Sequence, residues 1–297
     1  MIRYSDAVIH NDTVYCRYDS NNKVYAYHIS SSSWSLTPDT PYKGFALTVI
    51  DDLLTTVGGF NNKNTNQLFS LTGEGSGRRW TEKFPPMPTK RYIVSALCTG
   101  TTLIVVGGRG CGHGFKDEVL ITVEVLNTET REWHTAADLP QPLAQSSTAL
   151  CGDLVYLLGG FNEDDVATNL VYSCSLTSLL FSTGSTSLGE RVVSTLTRSS
   201  KGSPWNRVAD LPVKRSTAVS LHGRVLAIGG QDSKGKPTIA VHMYQPTTNS
   251  WEVISHMTTP RSRCLSAVLP DNELMVVGGW TTGSKKCDSV EFGTNFL

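Results

Sequence analysis

No stretch of the 297-residue sequence approaches the roughly eighteen consecutive apolar residues of a membrane helix, and the opening MIRYSDAVIHND lacks the apolar core of a secretory signal. The expectation is therefore a soluble, cytoplasmic chain that does not use a membrane. An excess of charge of one sign is also missing. Lys plus Arg and Asp plus Glu number 26 each, so no global field draws the chain to nucleic acid or an anionic surface. The seven cysteines, at 16, 98, 111, 151, 174, 264 and 287, form no paired spacing, which suits reduced thiols better than a disulfide framework. Histidines at 10, 28, 113, 134, 222, 242 and 256 are equally scattered. Cys111 and His113 stand two apart, but no second ligand pair accompanies them, so no metal or other cofactor is expected. Phosphate loops are absent too. LIVVGGRGCGHG (103–114) runs an apolar strand into glycine, yet it matches neither G-x-G-x-x-G nor G-x-x-x-x-G-K-[ST]. The next segment alternates at strand period through Val119, Ile121, Val123 and Val125, not at the period of a phosphate-binding helix. No G-x-S-x-G elbow offers a serine nucleophile.

The chain is rich in glycine, with 26 residues of it, and in short Val, Leu and Tyr runs, a composition of all-β structure. The runs repeat. TTVGGF, IVVGGR, YLLGGF, LAIGGQ and MVVGGW place diglycines at 58, 107, 159, 229 and 278, in steps of 49, 52, 70 and 49. Tryptophans at 34, 80, 133, 205 and 251 precede the diglycines in phase, by 24, 27, 26, 24 and 27 residues. Tyr27, Leu126 and Tyr244 each lie seven residues before a tryptophan on an alternating strand. After each tryptophan comes a proline turn, often with a basic residue, as in FPPMPTKR, DLPVKR and MTTPR. One unit thus reads as strands a, b ending in Gly-Gly, c, and d carrying Trp. A period near fifty is the signature of a repeat architecture.

These motifs resemble the Kelch repeat family over essentially the whole chain. The resemblance implies an all-β, six-bladed Kelch β-propeller with four antiparallel strands per blade, in one domain spanning 1–297. Blades are expected at about 1–40, 41–89, 90–142, 143–214, 215–261 and 262–297. The first is degenerate, because TVYCRY (13–18) lacks the diglycine, and the sixth lacks a Trp-bearing strand d. By analogy with the family, the missing strand is expected from residues upstream of Met1. Gly58, Gly59, Gly107, Gly108, Gly159, Gly160, Gly229, Gly230, Gly278 and Gly279 are read as structural, permitting close backbone approach. Trp34, Trp80, Trp133, Trp205 and Trp251 are read as wedges between blades. The fourth unit carries an insert (176–203), expected to be an elongated c-to-d hairpin on the blade edge, leaving the face opposite the binding loops and removable at little cost.

In such a ring the b-to-c and d-to-a loops share one face. It collects Phe60, Arg109, Phe161, Gln231 and Trp280 after the diglycine positions, and Arg3, Tyr4, Arg91, Tyr92, Gln145, Arg215, Ser216, Arg261 and Arg263 at the turns. Arg and aromatic residues among small polar ones have the composition of a binding hot spot. In Kelch adaptors of ubiquitin ligases this face holds degron peptides, so the resemblance implies a non-enzymatic, monomeric interaction module for a protein or peptide partner. Arginine forks favour a short acidic segment, with Tyr92, Phe161 or Trp280 supplying apolar contact. Arg91, Arg215 and Arg261 also admit a structural reading, as caps on carbonyls of a neighbouring blade. Arg109 and Arg263 break the repeat pattern and are preferred as ligand contacts. Glu163, Asp164 and Asp165 make the face dipolar. An actin-binding scaffold and a metal-dependent enzyme are the alternatives, although the sequence contains no E-x-x-x-D-x-x-x-H iron motif.

Overall fold

Alternating Val, Leu and Tyr runs broken by glycine turns give the chain short antiparallel strands and almost no helix. The computed structural model describes residues 5–18, 21–111, 117–181 and 203–293. Five four-stranded sheets succeed one another along the chain. They comprise Ser5–His10, Thr13–Tyr18, Tyr25–His28 and Ser33–Leu36; Ala46–Ile50, Leu53–Val57, Leu68–Thr72 and Arg79–Glu82; Ser95–Thr99, Thr102–Val106, Val123–Asn127 and Glu132–Thr135; Ser147–Cys151, Leu154–Leu158, Val171–Ser175 and Asn206–Val208; and Thr217–Leu221, Arg224–Ile228, Thr238–Gln245 and Ser250–Arg261. A sixth sheet has Leu265–Val268, Leu274–Val277 and Val290–Gly293, with no fourth strand among the described residues. The first strand of each sheet packs on the first strand of the next, and Ser5–His10 also packs on Leu265–Val268. The spacing of the aromatic pair becomes register: Tyr27 faces Trp34, Leu126 faces Trp133 and Tyr244 faces Trp251 across the outer strand pairs.

The hydrophobic residues of each sheet are buried against the neighbouring sheets, so the core is divided into interfaces. Ile104, Val106 and Val125 of the third sheet meet Val155, Leu157 and Cys174 of the fourth, and Val14 and Cys16 of the first meet Leu265 and Met275 of the sixth. Each later tryptophan spans an interface with a hydrogen bond as well as its ring. The indole Nε1 groups of Trp80, Trp133, Trp205 and Trp251 donate to the carbonyls of Pro38, Pro85, Ala137 and Ala209, at 2.7, 3.0, 3.2 and 2.9 Å. All four acceptors lie just past the outer strand of the preceding sheet. Trp34, in the sheet that neighbours the one with no described fourth strand, is 44% exposed, and it and Phe292 both pack on the Tyr27 ring. The described cysteines are free thiols, and burial pushes Cys16 and Cys264 up to about 12, so they stay protonated at neutral pH.

The first glycines at 58, 107 and 229 each sit against a carbonyl of the turn that enters the next sheet. A Cβ at Gly58 would lie 2.4 Å from the Arg91 carbonyl oxygen, and one at Gly107 would lie 2.1 Å from that of Leu143. Both glycines have positive φ, 65° and 55°, so neither space nor backbone conformation admits a side chain.

Two expectations for the turn arginines are corrected by the fold. Arg91 and Arg261 do not face a ligand; both are fully buried. Arg91 donates to the carbonyls of Gly107 and Thr122, each at 3.0 Å, and pairs with Glu124 at 2.8 Å. Arg261 does the same at a later interface, donating to the Gly278 and Ser289 carbonyls at 2.8 Å and pairing with Glu291. In the fourth sheet the corresponding residues are Leu143 and Tyr172, and there the Gly159 carbonyl is satisfied by the Ser146 hydroxyl instead, at 3.0 Å. Arginine is thus one way of capping the first glycine's carbonyl and a serine hydroxyl another, and in both units that use arginine a glutamate on strand c balances its charge.

The insert also differs from expectation. Leu176–Phe181 is a short helix rather than a strand extension, because Leu176 and Leu180 pack against a cluster in which Leu179 is fully buried beside Cys174 and Trp205. The remainder of the insert, 182–202, lies outside the described residues, as do Arg3, Tyr4 and the expected closing strand.

Three variants test these packing roles through stability. Arg91→Ala should cost about 3–5 kcal/mol in urea unfolding by stranding Glu124; the double change Arg91→Leu with Glu124→Tyr, which reproduces the fourth sheet's pair, should cost clearly less. Burial alone would push the Glu291 carboxyl up, but hydrogen bonds from Arg261, Thr258 and Thr259 together hold it at about 2. Because its folded value lies below the ordinary 4.5, its contribution is present above that pH and lost as pH falls towards 2. Acid titration of the Glu291→Gln variant should therefore show a shallower loss of stability across that window. Leu179→Ala should cost about 2–5 kcal/mol as a core truncation, against the expectation that the whole insert is dispensable.

Candidate functional site

The turns that lead from each outer strand into the next sheet end on a residue in the left-handed region, two positions before the new strand begins. These residues are Gly44, Ile93, Gln145, Arg215 and Arg263, with φ of 63°, 47°, 56°, 59° and 52°. Only the first is glycine, and Ile93 is β-branched, so the conformation is held against its intrinsic cost. Backbone hydrogen bonds account for it. The Ile93 N–H donates to the Gly44 carbonyl at 2.6 Å, Gln145 to Ile93 at 3.0 Å, and Arg263 to Arg215 at 2.9 Å. The kinked residues are thereby linked from the second sheet to the fourth and from the fifth to the sixth.

The inner strands and these turns enclose a cavity of about 360 Å³. Its lining includes Gln145, Phe161, Arg215, Ser216 and Arg263 from the expected binding face. Arg215 and Arg263 both lie over the ring of Phe161, with guanidinium carbons 5.3 and 5.8 Å from its centroid. Burial pushes the Arg215 guanidinium down from its ordinary value, and its Nε is buried without a hydrogen-bond partner. Further lining comes from the hydroxyl residues Thr48, Ser95, Ser147, Thr148, Thr217 and Ser266. Several bridge neighbouring inner strands: Ser95 donates to the Ser146 carbonyl at 2.7 Å, and Thr217 and Ser266 share a hydrogen bond at 3.1 Å. No carboxylate lines the cavity among the described residues.

The other candidate residues belong to the same set of loops without lining the cavity. Phe60, Gln231 and Trp280 bridge through their backbones to Lys43, Lys214 and Ser262, each just after its own diglycine. Phe60, 38% exposed, packs on Tyr92 with ring centroids 5.4 Å apart, and the Tyr92 hydroxyl donates to Asp117 at 2.5 Å. Arg109, preferred from sequence as a ligand contact, is ion-paired with Asp165 of the next sheet's loop. The acidic run 163–165 therefore engages an arginine of its own face.

Most of the lining is not marked in the sequence, and Arg17 and Ile93 show why. Arg17 lines the cavity, is 3% exposed and has its guanidinium 5.2 Å from the centre of the Phe45 ring. The signal for it was a charged residue where the other units end strand b in Val57, Val106, Leu158, Ile228 and Val277. Ile93 also lines the cavity; its residue type gives no hint of its left-handed backbone. Among the described residues no group of three His, Cys, Asp or Glu is placed to hold a metal ion.

Comparison with known proteins agrees with the repeat. Kelch motif models match residues 90–140 and 212–258. Kelch-like protein terF of Aspergillus terreus is 23% identical, the alignment covering 88% of this chain and 55% of that protein. Kelch-like protein 38 of Rattus norvegicus is 24% identical over 72% of this chain and 40% of its own length. The chain thus spans about half, or less, of the curated relatives it matches. A solved structure, described as the structure of YjhT, superposes with a TM-score of 0.72 at 16% identity, covering 98% of this chain and 97% of the other. With the diglycines, the in-phase tryptophans and the successive four-stranded sheets, these matches show that the chain carries Kelch motifs, resembles Kelch-repeat proteins and has a propeller-like all-β fold.

Proposed function

We propose that the chain is a six-bladed Kelch propeller that acts without catalysis, binding a short acidic segment of a protein partner at the mouth formed by the b-to-c and d-to-a loops. The observation that carries this reading is the pair Arg215 and Arg263 on Phe161, in a cavity whose described lining has no carboxylate. Two cations held on an apolar ring in a partly dry site attract an anion more strongly than the same cations in open water. Phe60, Tyr92 and Trp280 in the neighbouring loops offer apolar contact for residues flanking the acid. The loop acids at 163–165 lie on the side of Arg109, so the acidic end of a bound segment is directed towards the fifth and sixth sheets, where Lys214, Lys234, Lys236, Lys285 and Lys286 add positive charge. A role as substrate adaptor of a ubiquitin ligase in the cytoplasm fits this mode of binding.

An array of short acidic, neutral and basic peptides tests the reading. The chain should retain acidic peptides, lose them as salt is raised, and lose roughly 1–3 kcal/mol of binding on Arg263→Ala or Arg215→Ala. Arg109→Ala should change binding little, since its charge is already matched by Asp165. Retention of peptides regardless of charge, or loss only on changing residues of the opposite face, would sink it.

A further inference from the structure

The geometry points to the axial cavity as a site for a phosphate monoester, held by Arg215 and Arg263 and closed on one side by Phe161. This rests on the proposed anion-binding mouth and deepens it by naming the anion. Two features of the site favour a phosphoryl group over a carboxylate, and a third marks the two arginines as cavity groups.

The first is charge. Arg215 and Arg263 are brought to one ring, Arg17 lines the same cavity, and no carboxylate joins them among the described lining residues. A carboxylate carries a single negative charge, whereas a phosphate monoester carries about −1.5 to −2 at neutral pH and matches two guanidiniums in one group. The second is the number and direction of donors. Guanidinium forks approach from two adjacent turns, and Ser216, next to Arg215 in sequence, adds a hydroxyl to the lining. A phosphoryl group turns three oxygens towards donors on different sides, while a carboxylate offers two in one plane. The buried Arg215 Nε with no hydrogen-bond partner is a donor already desolvated and available to one of those oxygens.

The third is the backbone. At the equivalent position the second sheet uses Gly44, which adopts the left-handed conformation without penalty, yet the fifth and sixth use arginine at φ 59° and 52°. The third and fourth carry Ile93 and Gln145 in the same conformation, so the backbone is common to these turns, and what sets the fifth and sixth apart is the charge they bring to the cavity. Both of these arginines reach the cavity, in contrast to Arg91 and Arg261, which are buried on the carbonyls of the first glycines.

That same backbone supplies the test. Arg215→Gly and Arg263→Gly remove the guanidiniums while relieving the strain, so melting temperatures should hold or rise. The chain is titrated with inorganic phosphate by calorimetry and by phosphorus NMR line width, with acetate as the monoanionic comparison. Saturable phosphate binding, stronger than that of acetate and weakened at least tenfold in each glycine variant but not in Arg109→Ala, is the expected result. Free O-phosphoserine and a capped phosphoserine tripeptide then identify the source: equal binding marks a small phosphate ester, tighter peptide binding a phosphorylated segment, and both sustain the site. Acetate binding as tightly as phosphate would overturn the phosphate assignment while leaving the acidic-peptide reading standing. Absence of saturable phosphate binding, or its survival in folded glycine variants, would overturn the site itself. Because these titrations need no partner, their failure is separable from failure of the peptide array.

Discussion

Everything in this molecule is arranged around the close approach of adjacent backbones at the diglycines. The second glycine's N–H donates to a carbonyl in the turn that enters the next sheet, Gly59 to Arg91, Gly108 to Leu143 and Gly230 to Arg261, at 2.9, 2.9 and 2.8 Å. A Cβ on the first glycine would collide with that same carbonyl, at 2.4 Å for both Gly58 and Gly229. The contact sets how far apart neighbouring sheets stand at the loop end, and so sets the width of the space between the inner strands. Tryptophan has the corresponding role at the outer strands, where an indole both fills the gap and hydrogen-bonds to the preceding unit.

Fixing the sheets this closely leaves polar groups that must be satisfied inside. The carbonyl of the first glycine is the recurring one, and the chain meets it differently from unit to unit: Arg91 with Glu124, Arg261 with Glu291, and the Ser146 hydroxyl where Leu143 and Tyr172 occupy the corresponding positions. A buried ion pair is tolerable here because the guanidinium meets several acceptors at once and leaves little of its hydrogen-bonding capacity unused. The arginines two residues further along the later turns, Arg215 and Arg263, stand instead at the cavity against an aromatic face. That difference in surroundings separates a cation consumed by the scaffold from one that lines the cavity.

Much of the architecture was legible in the sequence because its determinants are local and periodic. Diglycine spacing marked strand b, the in-phase tryptophans marked strand d, and the seven-residue interval from Tyr27 or Tyr244 to tryptophan became direct cross-strand register. The sorting of arginines was not legible. Arg261 and Arg263 are separated by a single serine, and a left-handed residue breaks the in-and-out alternation that a strand would otherwise impose. One is wholly buried, the other lines the cavity. The partner that keeps Arg261 inside, Glu291, lies 30 residues away and becomes relevant only once the third strand is in register. Arg109 breaks the repeat, which in the sequence marks it for a ligand, yet the fold matches its charge with Asp165 of a neighbouring loop.

The sequence by itself determined the class of structure, the order of the strands, the positions of close backbone contact and the face on which the variable loops gather, because each depends on period, turn chemistry and residue size along the chain. Only the tertiary structure decided which cations are consumed by the scaffold and which reach the cavity, that Arg17 joins them from the degenerate unit, and that Leu179 at the start of the insert belongs to the core. The reason is that burial and charge pairing are properties of neighbours brought together across sheets, whereas period and propensity are properties of neighbours along one strand.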